Sequence, residues 1–259
     1  MDQTTDAVTQ EGVVHFYDNL AAGYDLMTGF EARFVKERPF FPLLVDTYKI
    51  RQAVDAGAGT GFHSLLLAQL GVQVTALDIS PRMLEVLAGH AADMKLSINT
   101  VTGPLTEAGA LISGTYDAVF SLGNTLAHCL SAESLRQSLA SLYGLLRPGG
   151  ILFAQVLNYR RILVAREQIL QQKEIDGVRV TRRYDYPGSL IRFSVIREDL
   201  RGGKAQEVES VDLYPLLETE LVAVLRETGY EEIRMFGGIS MEPYDAGASK
   251  DLVVLAQKK

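Results

Sequence analysis

The fold is decided by the stretch Asp55-Ala56-Gly57-Ala58-Gly59-Thr60-Gly61, which joins a short apolar run at residues 53–56 to a helical pattern at residues 62–70. Alternate glycines let the backbone turn steeply and let a ligand approach it without meeting Cβ atoms. The spacing G-x-G-x-G departs from the dinucleotide fingerprint G-x-G-x-x-G, because Phe62 stands where the third glycine belongs. We predict a strand, a ligand-binding turn and a helix, with an ordinary strand–helix turn as the alternative.

An acidic residue follows the next strand. Residues 72–77 read as a buried strand, and Asp78 ends it, about 20 residues after Gly57, where a carboxylate can accept hydrogen bonds from both hydroxyls of a ribose. Ser80 and Pro81 are typical of a helix N-cap and its first residue, and they open a helix that we expect to reach Ala92.

Strand and helix patterns continue to alternate up to residue 157. Further strands are predicted at 98–101, 117–122 and 151–156, and a helix at 131–146, ended by Arg147-Pro148-Gly149-Gly150. Such alternation predicts an α/β fold, with a mainly parallel sheet covered by helices on both faces.

The pattern changes after about residue 175. Three runs with strand periodicity, separated by turn signals at Pro187-Gly188 and Gly202-Gly203, predict an antiparallel meander, followed by a helix at 218–228 and strands at 231–236 and 252–256. We therefore expect one main domain with an insertion. The main domain comprises residues 1–157 and 216–259, and its residues 1–45 form an N-terminal helical lid. Residues 158–215 form the insertion, which consists of a helix and an antiparallel β lid.

Composition narrows the class of protein. The chain has 259 residues, 47% of them hydrophobic, and a net charge of −7, which excludes a disordered or collagen-like chain and argues against a general nucleic-acid binder. Cys129 is the single cysteine, so we expect no internal disulfide and a cytoplasmic location. The polar, acidic residues 1–6 lack a basic or apolar leader pattern, and no run approaches the roughly 18 apolar residues of a membrane span.

Three segments resemble the class I S-adenosylmethionine-dependent methyltransferases: Val54 to Gly61, Ala76 to Ser80, and Leu146 to Leu152. The resemblance implies a Rossmann-like, seven-stranded mixed sheet that binds S-adenosylmethionine and releases S-adenosylhomocysteine. It implies that the glycine turn lies under the methionine part of the cofactor, that Asp78 binds the ribose, and that Asp55 lies near the ammonium group or caps a helix. The cofactor-binding residues so implied are Tyr17, Arg33, Asp55, Ala56, Gly57, Gly59, Gly61, Asp78, Ile79, Met83, Pro104, Leu105 and Leu122.

A narrower resemblance lies in Asp117 to His128, which is similar to the Leu-Gly-Asn-Ser-x-Ala-His segment of glycine and sarcosine N-methyltransferases. Asn158-Tyr159 and Leu213-Tyr214-Pro215 are similar to the same group. The acceptor-binding residues implied are Asn124, Asn158, Tyr159, Arg160 and Tyr214, while Arg33 matches an arginine that pairs with the cofactor carboxylate. Lys36 and Arg38 are alternatives to Arg33, and all three can also simply solvate a helix face.

The chain departs from this group at two positions. Pro104 stands where an acid or Asn usually faces the adenine, so adenine recognition would fall to backbone groups near Leu105. Leu157 replaces the arginine that grips the carboxylate of glycine, and an isobutyl group cannot replace a bidentate guanidinium. Glycine is therefore doubtful as the acceptor, and Arg160 or Arg161 are candidates for a displaced clamp.

Methyl transfer from a sulfonium needs in-line positioning more than it needs a metal, and we find no metal-ligand spacing in the sequence. His128 is the candidate general base, and Asn124 is a candidate for orienting the acceptor. Phe16-Tyr17-Asp18 and Gly23-Tyr24-Asp25 resemble the family's lid segment, which implies that Tyr17 and Tyr24 cover the sulfur. Each has a structural alternative: a packed histidine, a capped turn, or plain aromatic packing. His63 is a weaker candidate for contact with the cofactor carboxylate.

The predicted lid is rich in arginine for an acidic protein: Arg160, Arg161, Arg166, Arg179, Arg182, Arg183, Arg192 and Arg197. These residues favour an acceptor with carboxylate or phosphate groups, or else they occupy solvent-facing strand positions.

We predict a methyltransferase for a small-molecule acceptor, with an amine nitrogen favoured. The alternatives are an O-methyltransferase or sugar N-methyltransferase of a metabolite, a non-catalytic S-adenosylmethionine-binding protein and, disfavoured by the glycine spacing, a nicotinamide-dependent oxidoreductase. We expect neither nucleic-acid nor membrane partners, and a homo-oligomer is left open.

Overall fold

A computed structural model describes residues 3–175, 177–202 and 207–259. In these residues the strands are β1 (Gln52–Ala56), β2 (Gln73–Asp78), β3 (Asn99–Thr102), β4 (Tyr116–Ser121), β5 (Leu146–Leu157), β6 (Ile169–Ile175), β7 (Val178–Asp185), β8 (Ile191–Asp199), β9 (Glu207–Leu213), β10 (Tyr230–Phe236) and β11 (Asp251–Lys258). The helices are α1 (Gln3–Leu20), α2 (Tyr24–Thr28), α3 (Phe30–Glu37), α4 (Phe41–Tyr48), α5 (Phe62–Gln69), α6 (Pro81–Asp93), α7 (Ala108–Leu111), α8 (Ala132–Leu145), α9 (Tyr159–Ala165) and α10 (Glu218–Thr228).

The main sheet has seven strands in the order β10-β11-β5-β4-β1-β2-β3. The pairs among β1 to β5 are parallel, whereas β11 runs antiparallel to both of its neighbours, β5 and β10. The predicted Rossmann-like, seven-stranded mixed sheet is confirmed. Since β1 and β4 are adjacent while their chain connections leave in opposite directions, the carboxyl ends of these two strands flank the crevice where such sheets bind ligands.

Each face of the main sheet has its own apolar core, because successive side chains of a strand point to opposite faces. Ala53 and Phe120 belong to the core that contains α4 and α5, through Phe41 and Leu66 among others. Their neighbours Val54 and Val119 belong to the core that contains α8 and α10. Both faces of the central strands are therefore buried, which explains their continuous apolar runs.

The segment Arg147 to Gly150 was predicted to end the helix before the fifth strand, but α8 already ends at Leu145 and β5 begins at Leu146. The register between β4 and β5 shifts between Tyr116 and Ala118, so this segment forms an irregular first part of the strand. A side chain at Gly150 would lie 2.9 Å from the Arg147 carbonyl oxygen, and only glycine fits this bulged backbone.

A second, antiparallel sheet of four strands, in the order β6-β7-β8-β9, follows α9 in the chain. Three strands were predicted, and β6 was missed because Ile169 to Ile175 shows no alternation of apolar and polar residues. Ile169 is 61% exposed, and a strand without a buried face has nothing to enforce the alternation. Of the predicted turn at Gly202-Gly203, Gly203 lies outside the described residues.

Helix α1 packs between the two sheets. Phe16 and Leu20 are fully buried on one side of it, while Asp18 accepts a hydrogen bond from Ser80 at 2.5 Å and Asn19 donates one to Glu209 at 2.9 Å. The helix therefore ties β9 of the second sheet to the start of α6 beside the main sheet. None of the described helices is long and apolar enough to cross a membrane.

Candidate functional site

The glycine turn follows β1 with Gly57, Gly59 and Gly61 all at positive φ, at 86°, 55° and 90°. The amides of Gly57 and Ala58 both donate to the carbonyl oxygen of Leu77, at 2.8 and 3.0 Å, which holds the turn against the end of β2. A Cβ atom at Gly57 would collide with Thr125. The turn therefore requires glycine for its conformation and for close packing.

Asp78 lies at the end of β2 and faces the glycine turn. Its Oδ2 accepts the amide of Gly59 at 2.7 Å and its Oδ1 accepts the amide of Ser80 at 2.9 Å. Burial raises the pKa of Asp78 to about 6, in spite of these two hydrogen bonds. Each carboxylate oxygen keeps a free lone pair, so the group can still accept two hydroxyls, as a ribose offers.

Asp55, in contrast, makes its contacts within the fold. It is fully buried in β1 and accepts a hydrogen bond from Ser64 of α5 at 2.6 Å, and burial raises its pKa. It does not line the cavity beside the glycine turn, and neither do Ala56, Gly61 and the fully buried Met83. These four residues support the turn from behind, and helix capping is the role that the geometry favours for Asp55.

A narrow cavity of about 160 Å³, here called the turn cavity, runs along the glycine turn. Its wall includes these residues predicted to bind the cofactor: Tyr17, Arg33, Gly57, Gly59, Asp78, Ile79, Pro104, Leu105 and Leu122. Residues that sequence reasoning missed there include Thr28, Phe62, Gly103 and Thr125. Gly103 donates its amide to the backbone of Asp78 at 2.9 Å, which explains why the loop with Pro104 lies at this cavity.

Three polar side chains meet at one end of the turn cavity. Arg33 donates to Glu37 at 2.9 Å and lies over the ring of Phe62, and His63 lies 3.2 Å from the same carboxylate. Burial acts to raise the pKa of Glu37, but the hydrogen bonds from His63 and Arg33 outweigh it and lower the pKa to about 2. Arg33 is thus held in place by a charged partner. Of the alternatives to Arg33, Lys36 lies at a neighbouring cavity and Arg38 at neither.

At the other side of the turn cavity, Tyr17 of α1 meets His128 of the loop after β4. The Tyr17 hydroxyl lies 2.8 Å from Nε2 of His128, while Nδ1 of His128 is buried without a partner among the described residues. Burial lowers the pKa of His128 to about 4 and raises that of Tyr17 well above its usual range. Both groups are therefore neutral at pH 7, and His128 is a weak base.

A larger cavity of about 830 Å³, the lid cavity, opens between α1, the second sheet and the loop before β11. Tyr17, Tyr24, Thr28, Arg33, Gly123 and His128 line both this cavity and the turn cavity. The two spaces therefore share one wall of mixed aromatic and polar side chains. A ligand in the turn cavity would contact the glycine turn, and the lid cavity has the volume for a second molecule of metabolite size.

Asn124 reaches the lid cavity, but its amide is already engaged. It donates to the Tyr159 hydroxyl at 2.8 Å and its oxygen accepts the amide of Leu157 at 3.0 Å. Its backbone is in the left-handed region, with φ at 73°. The geometry favours the structural alternative, a capped turn after β4, over an orienting contact with an acceptor.

The other residues predicted to bind an acceptor do not line the turn cavity or the lid cavity. Asn158 is buried and donates to the carbonyl oxygens of Ala246 and Ser249. Tyr159 is buried behind Asn124, Arg160 pairs with Glu218, and Tyr214 donates to Glu220 at 2.8 Å. Each side chain has a partner within the fold, and we do not propose them as acceptor ligands.

The residues that do line the lid cavity include several that sequence reasoning missed, among them Glu37, Gln155, Glu242, Lys250 and Asp251. The loop that carries Glu242 and Lys250 shows no motif, and only the position of β11 beside β5 brings it to the site. Among the described residues, no group of three His, Cys, Asp or Glu side chains could hold a metal ion.

Comparison with known proteins identifies the family of the chain. A family model described as "Methyltransferase domain" matches residues 53–150. A glycine/sarcosine N-methyltransferase of Parasynechococcus marenigrum is 30% identical over 237 residues, which cover 90% of this chain and 80% of the relative. A glycine/sarcosine N-methyltransferase of Aphanothece halophytica is 28% identical over 227 residues, 86% of this chain and 82% of the relative.

The fold also matches a solved structure of an S-adenosylmethionine-dependent methyltransferase from Clostridium acetobutylicum, with a TM-score of 0.79 over 93% of this chain and 98% of the other. Their sequence identity is 14%, so this match supports the fold alone. Together with the 30% identity over most of both chains, the glycine turn, Asp78 and the seven-stranded sheet lead to one conclusion. The protein belongs to the class I S-adenosylmethionine-dependent methyltransferases, in the family that includes the glycine/sarcosine N-methyltransferases.

Proposed function

We propose that this enzyme transfers the methyl group of S-adenosylmethionine to the nitrogen of a small amine bound in the lid cavity. The observation that carries the proposal is the wall shared by the turn cavity and the lid cavity, formed in part by Tyr17, Tyr24 and His128. A methyl donor in the first cavity and an acceptor in the second would meet at that wall. The nitrogen acceptor is supported by the relatives named as N-methyltransferases.

The residues of the turn cavity fit S-adenosylmethionine. Asp78 keeps free acceptor positions for ribose hydroxyls, and Arg33 has part of its guanidinium open to the cavity while Glu37 holds it. The bound cofactor supplies an activated methyl group on a sulfonium centre. Tyr17 and Tyr24 remain protonated at neutral pH, because burial raises the pKa of each, and neutral hydroxyl oxygens suit the neighbourhood of a cationic sulfur.

The acceleration expected of this site comes from positioning. Holding an acceptor in line and within contact distance is worth effective molarities of roughly 10⁵–10⁸ M in favourable cases. A His128 imidazole with a pKa of about 4 is too weak a base to take a proton from an ammonium ion efficiently. We propose that neutral His128, held by Tyr17, orients the amine, and that the amine enters the site in its neutral form.

Glycine is a poor candidate for the acceptor. The lid cavity measures about 830 Å³, near the upper end of the roughly 300–1,000 Å³ typical of small-molecule sites. Leu157 lines it at the position where the resemblance to glycine N-methyltransferases implies an arginine. Both observations favour an acceptor larger than an unsubstituted amino acid.

The test is the formation of S-adenosylhomocysteine when the enzyme is incubated with S-adenosylmethionine and, separately, with glycine, sarcosine, larger primary and secondary amines, amino sugars and hydroxyl compounds. We expect turnover with one or more larger amines and little with glycine. Turnover confined to hydroxyl compounds would replace the proposal with O-methylation. Tight cofactor binding without turnover on any compound would favour a non-catalytic binding protein.

A further inference from the structure

The arginines of β7 divide into two sets according to the face on which they lie. On β7, Arg179 and Arg183 alternate with Val180, Arg182 and Tyr184. Arg183 pairs with Asp185 at 2.6 Å and Arg179 with Glu198 at 3.2 Å. These pairs lie on the outward face, where the arginines are solvated and neutralised.

Arg182 lies on the inward face, beside the buried Tyr184. Its guanidinium stands over the ring of Phe193, 5.4 Å from the ring centre, and it lines the lid cavity. Among the described residues no carboxylate lies within ion-pair distance of it, and its Nε is buried without a hydrogen-bond acceptor. A cation of this kind favours an anion supplied from outside the chain.

Arg161 of α9 is a second arginine whose Nε is buried without an acceptor in the described part of the chain. Arg161 and Arg182 both line a third cavity of about 490 Å³, the side cavity. Leu157, Arg182, Tyr184, Lys250 and Asp251 line both the side cavity and the lid cavity, so the two cavities adjoin.

Acidic groups at this junction do not neutralise the two arginines. Asp251 accepts a hydrogen bond from Gln155 at 2.9 Å, burial raises its pKa, and no ion pair joins it to either arginine within the described residues. Glu167 lines the side cavity without an ion pair to them. Lys250 adds a further positive charge at the junction.

We infer that the junction of the lid and side cavities is a binding subsite for an anionic group of the methyl acceptor, held by the guanidinium groups of Arg182 and Arg161. The inference rests on the proposed methylation of a small amine. It assigns the substrate class as an amine that carries a carboxylate or a phosphate on a chain long enough to reach from His128 to Arg182. It also explains how an enzyme with Leu157 in place of a clamp arginine can still bind an acidic amine.

The test compares matched anionic and neutral amines: γ-aminobutyrate against its amide, and phosphoethanolamine against ethanolamine. Binding is measured by calorimetry with S-adenosylhomocysteine present, and methyl transfer is measured as KM and kcat. We expect the anionic member of at least one pair to bind about 10- to 100-fold more tightly, as charge-assisted hydrogen bonds provide. The two pairs distinguish a carboxylate site from a phosphate site.

Four variants locate the effect. Arg182→Met and Arg161→Met keep an unbranched side chain and remove the charge, whereas Arg183→Met removes the neighbouring outward arginine as the matched control. We expect the first two to abolish the preference for the anion, mainly through KM, with unchanged affinity for S-adenosylmethionine, and the control to retain the preference. Arg182→Lys, which keeps the positive charge, should retain part of the preference for the anion that Arg182→Met loses.

The inference is overturned if neither anion binds more tightly than its neutral partner, or if both arginine variants keep the preference. Equal methylation of anionic and neutral amines would leave the proposed function standing and remove the subsite. Preferential binding of anions without methylation of any amine would support the subsite and contradict the proposed function.

Discussion

The hydroxyl of Tyr17 lies 2.8 Å from Nε2 of His128, and their rings meet edge to face with centres 5.4 Å apart. This contact joins α1 to the loop after β4, two segments separated by 111 residues. It lies in the wall shared by the turn cavity and the lid cavity, so the orientation of His128 depends on the N-terminal helix. Replacing Tyr17 tests that dependence.

We predict that Tyr17→Phe lowers kcat about 5- to 10-fold, because the imidazole loses the hydrogen bond that orients it, worth about 1 kcal/mol. Affinity for S-adenosylmethionine should change little. Steady-state kinetics and calorimetry measure the two quantities. Tyr214→Phe is the matched control, since its hydroxyl bonds Glu220 outside both cavities. A Tyr17→Phe enzyme with the kcat of the wild type would show that this contact is structural only.

His128 should make stability depend on pH in a defined direction. Burial lowers its pKa from 6.5 to about 4, so the unfolded chain binds more protons between these values and the free energy of unfolding decreases as pH falls through them. The loss is about 3 kcal/mol. Urea unfolding at several pH values measures it, and His128→Gln should remove the loss. The exposed His15→Gln variant is the matched control.

Asp78 also contributes to the pH dependence of the free energy of unfolding, but with the opposite sign. Its pKa is raised to about 6, so its contribution is complete at low pH and decreases as pH rises through about 6. The difference between the wild type and His128→Gln isolates the histidine, because Asp78 is present in both proteins. If the two proteins lost stability in parallel on acidification, the low pKa assigned to His128 would be wrong.

Cofactor affinity should also follow the ionisation of Asp78. Below about pH 6 the carboxyl group gains a proton and loses acceptor capacity for ribose hydroxyls. We predict that the affinity for S-adenosylmethionine falls as pH decreases through 6, and that Asp78→Asn binds at least ~10-fold more weakly at pH 7.5, with little dependence on pH. Calorimetry across this pH range measures the affinity of both proteins for S-adenosylmethionine, with the exposed Asp93→Asn as control. Unchanged affinity in Asp78→Asn would argue against ribose binding by this residue.

The glycine turn offers a steric prediction. Gly57→Ala places a methyl group against Thr125 at a φ of 86°, which costs about 1–2 kcal/mol in backbone strain before the clash is added. We expect a lower midpoint of thermal unfolding and loss of cofactor binding. Gly12→Ala in α1 is the control, because nothing lies within 4 Å of its added Cβ. Wild-type cofactor affinity in Gly57→Ala would contradict the close approach of a ligand at this turn.

The main sheet could be predicted from local pattern because its central strands are buried on both faces and its turns carry glycine or proline at fixed positions. Ser80 is an example: it was predicted as an N-cap, and its hydroxyl accepts the amide of Met83, three residues later, at 3.1 Å. The edge strand β6 could not be predicted in this way. Residues 169, 170 and 172–174 of this strand are exposed, and its pairing with β7 leaves no periodicity in the sequence.

The wall of the turn cavity was more predictable from the sequence than the wall of the lid cavity. Gly57 and Gly59 come directly after β1, and Asp78 ends the next strand of the chain, β2. Since β1 and β2 are adjacent in the sheet, these residues lie close together through local connections. The lid cavity draws on α1, β7 and the loop before β11, and no local pattern brings these together. Asn158 and Tyr159 matched a motif, yet their side chains are consumed by contacts within the fold.

The most direct test of methylation at nitrogen is nuclear magnetic resonance of the product formed from S-adenosylmethionine with an isotopically labelled methyl group. The acceptor is the amine that gives the highest kcat/KM in the panel. We predict that the label appears as an N-methyl group, in equal amount to the S-adenosylhomocysteine released. An O-methyl signal, or release of S-adenosylhomocysteine without label in the amine, would contradict it.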